Sequence, residues 1–270
     1  MTYFRNFIRF DFNKMHNYDI EGQLLRLNSI DLDAISGARL MNRFEVKYVF
    51  NARKLNDLIN LLGKHYHVLE INKLRLLPYS TTYLDTTDCF FYHQHARGEF
   101  DRHKLRYRTY QATDESFLEI KKRTNKGMTV KWRIENKPVA GSLDPVAKGF
   151  IQEYLPVSST LVKPALINQF TRITLAGFAL KERVTIDFNI SFSLPESRNQ
   201  ITLPYLAVAE LKKEAYSDSS LFKGLIRKLN IYPTGFSKYC VGSALLNDSL
   251  KKNALKPKLL LLNKLENECI

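Results

Sequence analysis

Between Asp101 and Glu135 the chain sets basic residues at a spacing that suits oxyanion chemistry. Three short runs, R-H-K-L-R-Y-R-T-Y, F-L-E-I-K-K-R and V-K-W-R-I-E, alternate in character, and successive side chains of a strand point to opposite faces of its sheet. Lys104, Arg106 and Arg108 therefore share a face, as do Glu119, Lys121 and Arg123, and again Lys131, Arg133 and Glu135. The other face carries Leu105, Tyr107, Leu118, Ile120, Trp132 and Ile134. An arginine fork grips two oxygens of one phosphate at once. A carboxylate left among such cations suits Mg2+ or Mn2+, hard ions that prefer oxygen and bridge to phosphates.

The elements that must position these residues follow from the same alternation. Asn125-Lys126-Gly127 is turn chemistry, so the last two runs form a hairpin. Upstream, Arg43 to Phe50 places Arg43, Glu45 and Lys47 opposite Phe44, Val46 and Tyr48. Asn51 then caps a helix with Leu55, Leu58, Ile59 and Leu62 at helical spacing, ended by Gly63. P-Y-S-T-T-Y-L-D-T reads as a strand ending at Asp85. C-F-F-Y-H-Q-H reads as a further strand, with His93 and His95 on one face and Cys89 and His103 nearby. Without a fourth ligand at a recognised zinc spacing, that group favours structural histidines over a metal site.

Downstream, Asp144-Pro145 opens a helix with Val146, Ala147, Phe150, Ile151, Tyr154 and Leu155 as its apolar stripe. Arg183, Thr185 and Asp187 alternate with Val184, Ile186 and Phe188 on a strand. Y-L-A-V-A-E-L-K-K-E puts Glu210 and Lys212 on one face. Ser217 or Asp218 opens a helix burying Leu221, Phe222, Leu225, Ile226 and Leu229, and P-T-G-F-S-K-Y-C starts another. Residues 1–40 read as an irregular or weakly helical lead-in, residues 41–248 as the folded domain, and residues 249–270 as a mildly amphipathic tail.

Totals narrow the partners. The 270 residues include 41 Lys plus Arg against 27 Asp plus Glu, a net charge of +14, which favours an anionic partner. Cys89, Cys240 and Cys269 are widely spaced and odd in number, against a disulfide framework. Arg5, Arg9 and Asp11 interrupt the opening segment, unlike a signal peptide. No run approaches the roughly 18 apolar residues of a spanning helix. The expectation is a cytoplasmic protein.

At least six segments alternate charged with bulky apolar residues, which points to charged faces looking at one another inside an antiparallel barrel covered by helices. The residues leave the reverse open, with charges outward and apolar groups filling the barrel. Two cations about 5 Å apart at an effective dielectric of 20 repel by roughly 3 kcal/mol. Lys47, Arg106, Arg108, Lys121, Lys131, Arg133 and Arg183 therefore need more than Glu45, Glu119, Glu135, Asp187 and Glu210 to share one lumen. A bound polyanion supplies it, each charge-assisted contact contributing about 1.5–3 kcal/mol.

The series R-F-E-V-K-Y, Y-L-D-T, H-A-R-G-E-F-D-R-H-K-L-R-Y-R-T-Y, L-E-I-K-K-R, V-K-W-R, E-R-V-T-I-D, A-E-L-K and G-F-S-K-Y, in this order over about residues 41–248, resembles the VTC domain. That family is the polyphosphate polymerase branch of the triphosphate tunnel metalloenzymes. The resemblance implies an α+β fold, an eight-stranded antiparallel β-barrel tunnel with helices packed outside. It also implies Lys47, Arg106, Arg108, Lys121, Lys131, Arg133, Arg183, Ser237 and Lys238 as phosphate ligands, and Glu210, with Glu45 and Glu119, as metal ligands for Mn2+ or Mg2+. Arg106, Arg108, Lys121, Lys131 and Glu210 would carry catalysis, moving the terminal phosphate of ATP onto polyphosphate.

Hydrolytic relatives carry E-x-E-x-K where this chain has Arg43-Phe44-Glu45-Val46-Lys47, which favours the polymerase branch over a two-metal triphosphatase. A tunnel triphosphatase and a non-catalytic module binding polyphosphate or RNA are the alternatives. A barrel closed round its charges lacks the open aromatic platform RNA needs, so no specific nucleic acid is expected. ATP or triphosphate and polyphosphate are the expected partners; a membrane-protein partner and the oligomeric state are left open.

Overall fold

The computed structural model describes residues 19–37, 43–126, 128–139, 142–177, 182–195, 197, 199–214 and 220–268. The first half runs α1 (Ile20–Leu25), β1 (Ser29–Ile30), α2 (Leu32–Gly37), β2 (Arg43–Asn51), α3 (Leu55–Leu62), β3 (His67–Leu69), β4 (Leu77–Thr86), α4 (Phe90–Ala96) and β5 (Arg102–Tyr110). The rest runs β6 (Glu115–Arg123), β7 (Thr129–Glu135), α5 (Pro145–Tyr154), β8 (Val162–Gly177), β9 (Glu182–Ser193), β10 (Gln200–Leu203), β11 (Leu206–Glu214), α6 (Leu221–Lys228), α7 (Lys238–Leu246) and α8 (Lys256–Asn267).

Eight strands lie side by side in the order β2-β11-β9-β8-β4-β5-β6-β7, each antiparallel to its neighbours. The expected closure into a barrel is not formed: among the described residues, β2 and β7 are the two ends of the sheet. A loop takes the edge of β2 instead, the Thr234 amide donating to the Lys47 carbonyl at 2.7 Å while Pro233 bridges Tyr48. With that edge occupied, β7 finds no complete ladder to join.

The sheet is nonetheless strongly curled. Lys121 on β6 feels the carboxylates of Glu45 on β2 and Glu210 on β11, strands six and five places away in the order. A flat sheet would hold them about 24–29 Å apart. Its convex face is apolar. Tyr48, Ile173, Val184, Ile186, Ala209 and Leu211 pack against α1, α3 and α6, while Leu105, Tyr107, Leu118 and Ile120 pack against α5.

Helix boundaries follow from capping. The Asn51 side chain accepts from the Arg53 amide at 2.9 Å and starts the turn that leads into α3. Leu55, Leu58, Ile59 and Leu62 of α3 are wholly buried, each contributing about 1.5–3 kcal/mol. In α5, Asp144 accepts from the Ala147 amide at 2.7 Å, and the buried stripe is Ala147, Phe150 and Ile151. Val146, expected on that stripe, is 64% exposed because it sits one position off the i, i+3, i+4 series.

C-F-F-Y-H-Q-H is a helix, α4, and not the expected strand. The buried Asp85 carboxylate accepts from the Phe91 and Tyr92 amides at 2.9 Å each, and the Thr86 hydroxyl accepts from Phe90 at 3.0 Å. These oxygens at the end of β4 satisfy the free amides of a helix start. His93 and His95 consequently point different ways. Asp85 also accepts from the Tyr239 hydroxyl of α7.

Residues 19–37, read as part of a lead-in, bury Ile20, Leu24, Leu27, Ile30 and Ile35. The tail forms α8, which buries Leu262 and Leu265 and is tied to β2 where Asn51 Nδ2 donates to the Leu265 carbonyl at 2.8 Å. α6 begins with Ser220 accepting from the Lys223 amide at 3.3 Å; Ser217 and Asp218 lie outside the described residues, as do Gly127 and Cys269.

Candidate functional site

Register determines which side chains meet on the concave face. Directly opposed residues of antiparallel strands share a face. Across β5, β6 and β7 this gives successive rows: Arg102–Arg123, then Lys104–Lys121–Lys131, then Arg106–Glu119–Arg133, then Arg108–Phe117–Glu135. Arg108 and Arg106 continue onto Thr81 and Tyr83 of β4. At the far side, Glu210 opposes both Lys47 and Thr185, and Lys212 opposes both Glu45 and Arg183. The charged positions of these strands thus share the concave face; the alternation had sorted them onto one face and left its direction open.

Two buried carboxylates organise it. Glu119 is wholly buried and accepts from Arg106 Nε at 2.8 Å and Nη2 at 2.7 Å, and from Lys131. Burial opposes its ionisation, but Arg106, Arg108 and Lys131 outweigh that and hold the carboxyl well below the usual range. Burial lowers Lys131 to about 8 even so. Across the hollow, Asp187 receives Arg172 Nε at 2.6 Å and Nη2 at 2.8 Å, and Lys238. The Arg172 guanidinium also lies 4.8 Å from the Tyr79 ring centre and 5.2 Å from that of Phe170.

Lys238 enters from the start of α7, whose preceding Ser237 hydroxyl caps the helix by accepting from the Cys240 amide at 3.3 Å. α7 lies close on the sheet at Gly242, where any Cβ would collide with Phe192 and Leu166. Its Tyr239, Cys240 and Val241, with Phe236 just before it, pack in one apolar cluster with Tyr83, Leu166, Phe170 and Phe192.

Other cations are not held by a direct ion pair. Among the described residues, Lys104, Arg108 and Lys121 make no ion pair; Arg108 Nε is buried without a partner, its guanidinium 5.9 Å from the Tyr79 ring centre. Burial, then Lys47, lowers Lys104 to about 7. Burial, then Arg106, lowers Lys121 well below the usual lysine range. Like charges opposed across a ladder destabilise the empty protein.

Glu210 lies 2.8 Å from Lys212 and 3.6 Å from Lys47, whose ammonium also donates to the Phe236 carbonyl at 3.0 Å. Burial opposes ionisation of Glu210, and Lys212, Lys47 and Lys121 overcome it. Glu45 sits one row away on β2, toward solvent. Among the described residues no three His, Cys, Asp or Glu side chains form a metal cage. Two carboxylates with phosphate oxygens and water suit a hard cation and not zinc. Of the remaining predicted ligands, Arg183 is half-buried on the concave face, and Arg133 is exposed with its guanidinium 4.6 Å from the Phe117 ring centre.

Residues 42–247 match the VTC domain. The chain belongs to the VTC domain family. Among solved structures it is similar to a Hippeastrum protein described as a candidate adenylyl cyclase with a dominant triphosphatase activity, at 14% identity and a TM-score of 0.48, covering 77% of this chain and 97% of that one. A candidate adenylate cyclase from Vibrio parahaemolyticus gives 12% identity and a TM-score of 0.47, covering 74% and 97%. A Pyrococcus horikoshii protein gives 14% and 0.42, covering 75% and 98%. No curated protein matches the chain.

Within this VTC domain the hollow holds charged groups that sequence reasoning had not nominated. Arg172 is the foremost: P-A-L-I-N-Q-F-T-R-I-T-L-A had no assigned strand face, and a bulge between Gln169 and Thr171 breaks its alternation. Lys104 and Lys212 were on the right face by alternation alone. His95 was hidden by the strand reading of α4.

Proposed function

We propose that the protein is a metal-dependent polyphosphate polymerase that transfers the terminal phosphate of ATP to a polyphosphate chain held in the curled sheet. The observation that carries this reading is the buried, one-sided convergence of cations, several without any carboxylate partner, on one hollow beside Glu210. A chain of phosphates relieves that repulsion; a neutral ligand does not. Arg43 in place of the first carboxylate of hydrolytic relatives supports transfer over hydrolysis.

Phosphoryl transfer needs little covalent chemistry from a protein and depends on in-line positioning and charge neutralisation. In this reading Arg106 and Arg108, with Lys121 and Lys131, clamp the phosphates, and Glu119 pre-aims Arg106 and Lys131. Lys47, Arg183 and Lys238 line the opposite wall. Glu210, with Glu45 beside it, would hold Mg2+ or Mn2+, which supplies Lewis-acid polarisation of the transferring group when bound. Glu119, engaged by two cations, is assigned to positioning rather than to the metal. The acceptor is an ionised phosphate end, so no strong general base is required.

Incubation of the pure protein with ATP and Mn2+ should yield long phosphate chains on a gel. Glu210→Gln should abolish them with the fold intact by circular dichroism. Phosphate release without chains would identify a triphosphatase, and binding without turnover a polyphosphate-binding module.

A further inference from the structure

The concave face changes character along β5. At the start of the strand its rows with β6 are wholly cationic, Arg102–Arg123 and then Lys104–Lys121. Past Arg106 and Arg108 the cations give way to rings. Tyr110, two residues beyond Arg108 on the same face, opposes Tyr79 of β4, which in turn opposes Phe170 of β8. With Phe117 of β6, these residues form an aromatic rim at the end of the hollow beside the β5–β6 turn.

The rings of the rim are not equivalent. Tyr79 and Phe170 stack on each other and are only 7% and 4% exposed. Phe117 already carries the Arg133 guanidinium 4.6 Å from its centre. Tyr110 is half-buried, and Tyr79 and Phe117 meet it at 62° and 85° with centroids 5.1 and 5.8 Å away, so both restrict its tilt and neither stacks on it. A flat, uncharged group gains most at such a ring.

The opposite end of the order is marked by Glu210. Lys121 lies in the field of that carboxylate and opposes Lys104, three rows from Tyr110. In the polymerase reading Glu210 serves the transferring phosphate and Arg106 and Arg108 clamp its neighbours, which leaves the base of ATP without a contact. Tyr110 stands about 7 Å beyond Arg108 along the strand, a distance that a ribose spans between its phosphate and its base.

We infer that Tyr110 is the stacking platform for the nucleobase of the nucleotide donor, which lies along β5 with its base at the aromatic rim and its terminal phosphate at the Lys104–Lys121 row. The assignment rests on the ATP reading above and adds to it a direction and a contact that tripolyphosphate lacks.

The test is calorimetric titration of the full chain, without metal, with tripolyphosphate and with the non-hydrolysable imido analogue of ATP. Tyr110→Leu should weaken the analogue about fivefold or more, the loss of one stacked base, while changing tripolyphosphate affinity less than about threefold. Tyr110→Trp should hold the analogue within about threefold of wild type, and the new indole should lose emission when the analogue binds but not when tripolyphosphate does. The native Trp132 lies against Tyr154 on the convex face, 5.0 Å between ring centres, away from either ligand. If Tyr110→Leu weakens both ligands equally or neither, or if the indole responds to both alike or to neither, the platform is refuted while the hollow remains a phosphate site. If wild-type protein binds neither ligand, both readings fall. The emission of Tyr110→Trp decides the question should Tyr110→Leu not fold.

Discussion

The two walls of the hollow use the same device to different ends. On each, one buried carboxylate holds one arginine and one lysine: Glu119 with Arg106 and Lys131, Asp187 with Arg172 and Lys238. On the Asp187 wall the arginine also lies against Tyr79 and Phe170, which stack on each other, so its charge is matched and its movement restricted. On the Glu119 wall the matched pair is surrounded by Lys104, Arg108 and Lys121, none of which makes a direct ion pair among the described residues. The first wall is a finished structure. The second is charged beyond its own needs, and that surplus is the capacity available to a ligand.

The sharpest way to break this contrast is to remove each carboxylate. Deleting one partner of a buried ion pair costs about 3–5 kcal/mol, so Glu119→Gln and Asp187→Asn should both lower stability in urea by roughly that amount. Their response to tripolyphosphate should differ. A phosphate can replace the lost carboxylate on the open wall, so Glu119→Gln should recover part of its stability. Asp187→Asn should recover little, because the stacked Tyr79 and Phe170 rings against Arg172 restrict its freedom to turn. Equal recovery in both would end the distinction.

Next in size is Arg108→Gln. Loss of one charge-assisted contact should weaken tripolyphosphate binding about tenfold or more by calorimetry. Because Arg108 makes no direct ion pair and Glu119 keeps Arg106 and Lys131, the empty protein should melt close to wild type. A large fall in Tm would make Arg108 a structural residue of that wall.

The smallest effect is on pH dependence. Lys104 is lowered to about 7 in the folded protein from an ordinary value near 10.5, so between these pH values the unfolded chain binds the extra proton. Stability of the empty protein should therefore rise from about pH 7 toward pH 9.5, and Lys131 and Lys238, both lowered to about 8, add to the slope. Tripolyphosphate should flatten the slope by restoring the protonated lysines. A flat profile without ligand, read by thermal melts, would show that these ammonium groups are better solvated than the register implies.

Much of this was legible in sequence because strand alternation needs only neighbours. R-H-K-L-R-Y-R and L-E-I-K-K-R sort themselves into faces without knowledge of the fold, and the apolar side was placed correctly on the helices. What depended on distant residues was not legible. α4 has the composition of a strand, and its helical start is supplied by Asp85 and Thr86 outside it. Closure failed for a similar reason, since the edge of β2 is met by Pro233 and Thr234, far along the chain. Arg172 escaped because a bulge shifts its phase.

Asp85 has a mechanical consequence. A single carboxyl group fastens the first turn of α4 and the Tyr239 hydroxyl of α7, so the helix bearing His95 and the helix bearing Lys238 are moored to one post. Neither can shift alone without breaking a hydrogen bond to that buried carboxyl group. Any opening of that end of the cup would have to carry both helices together.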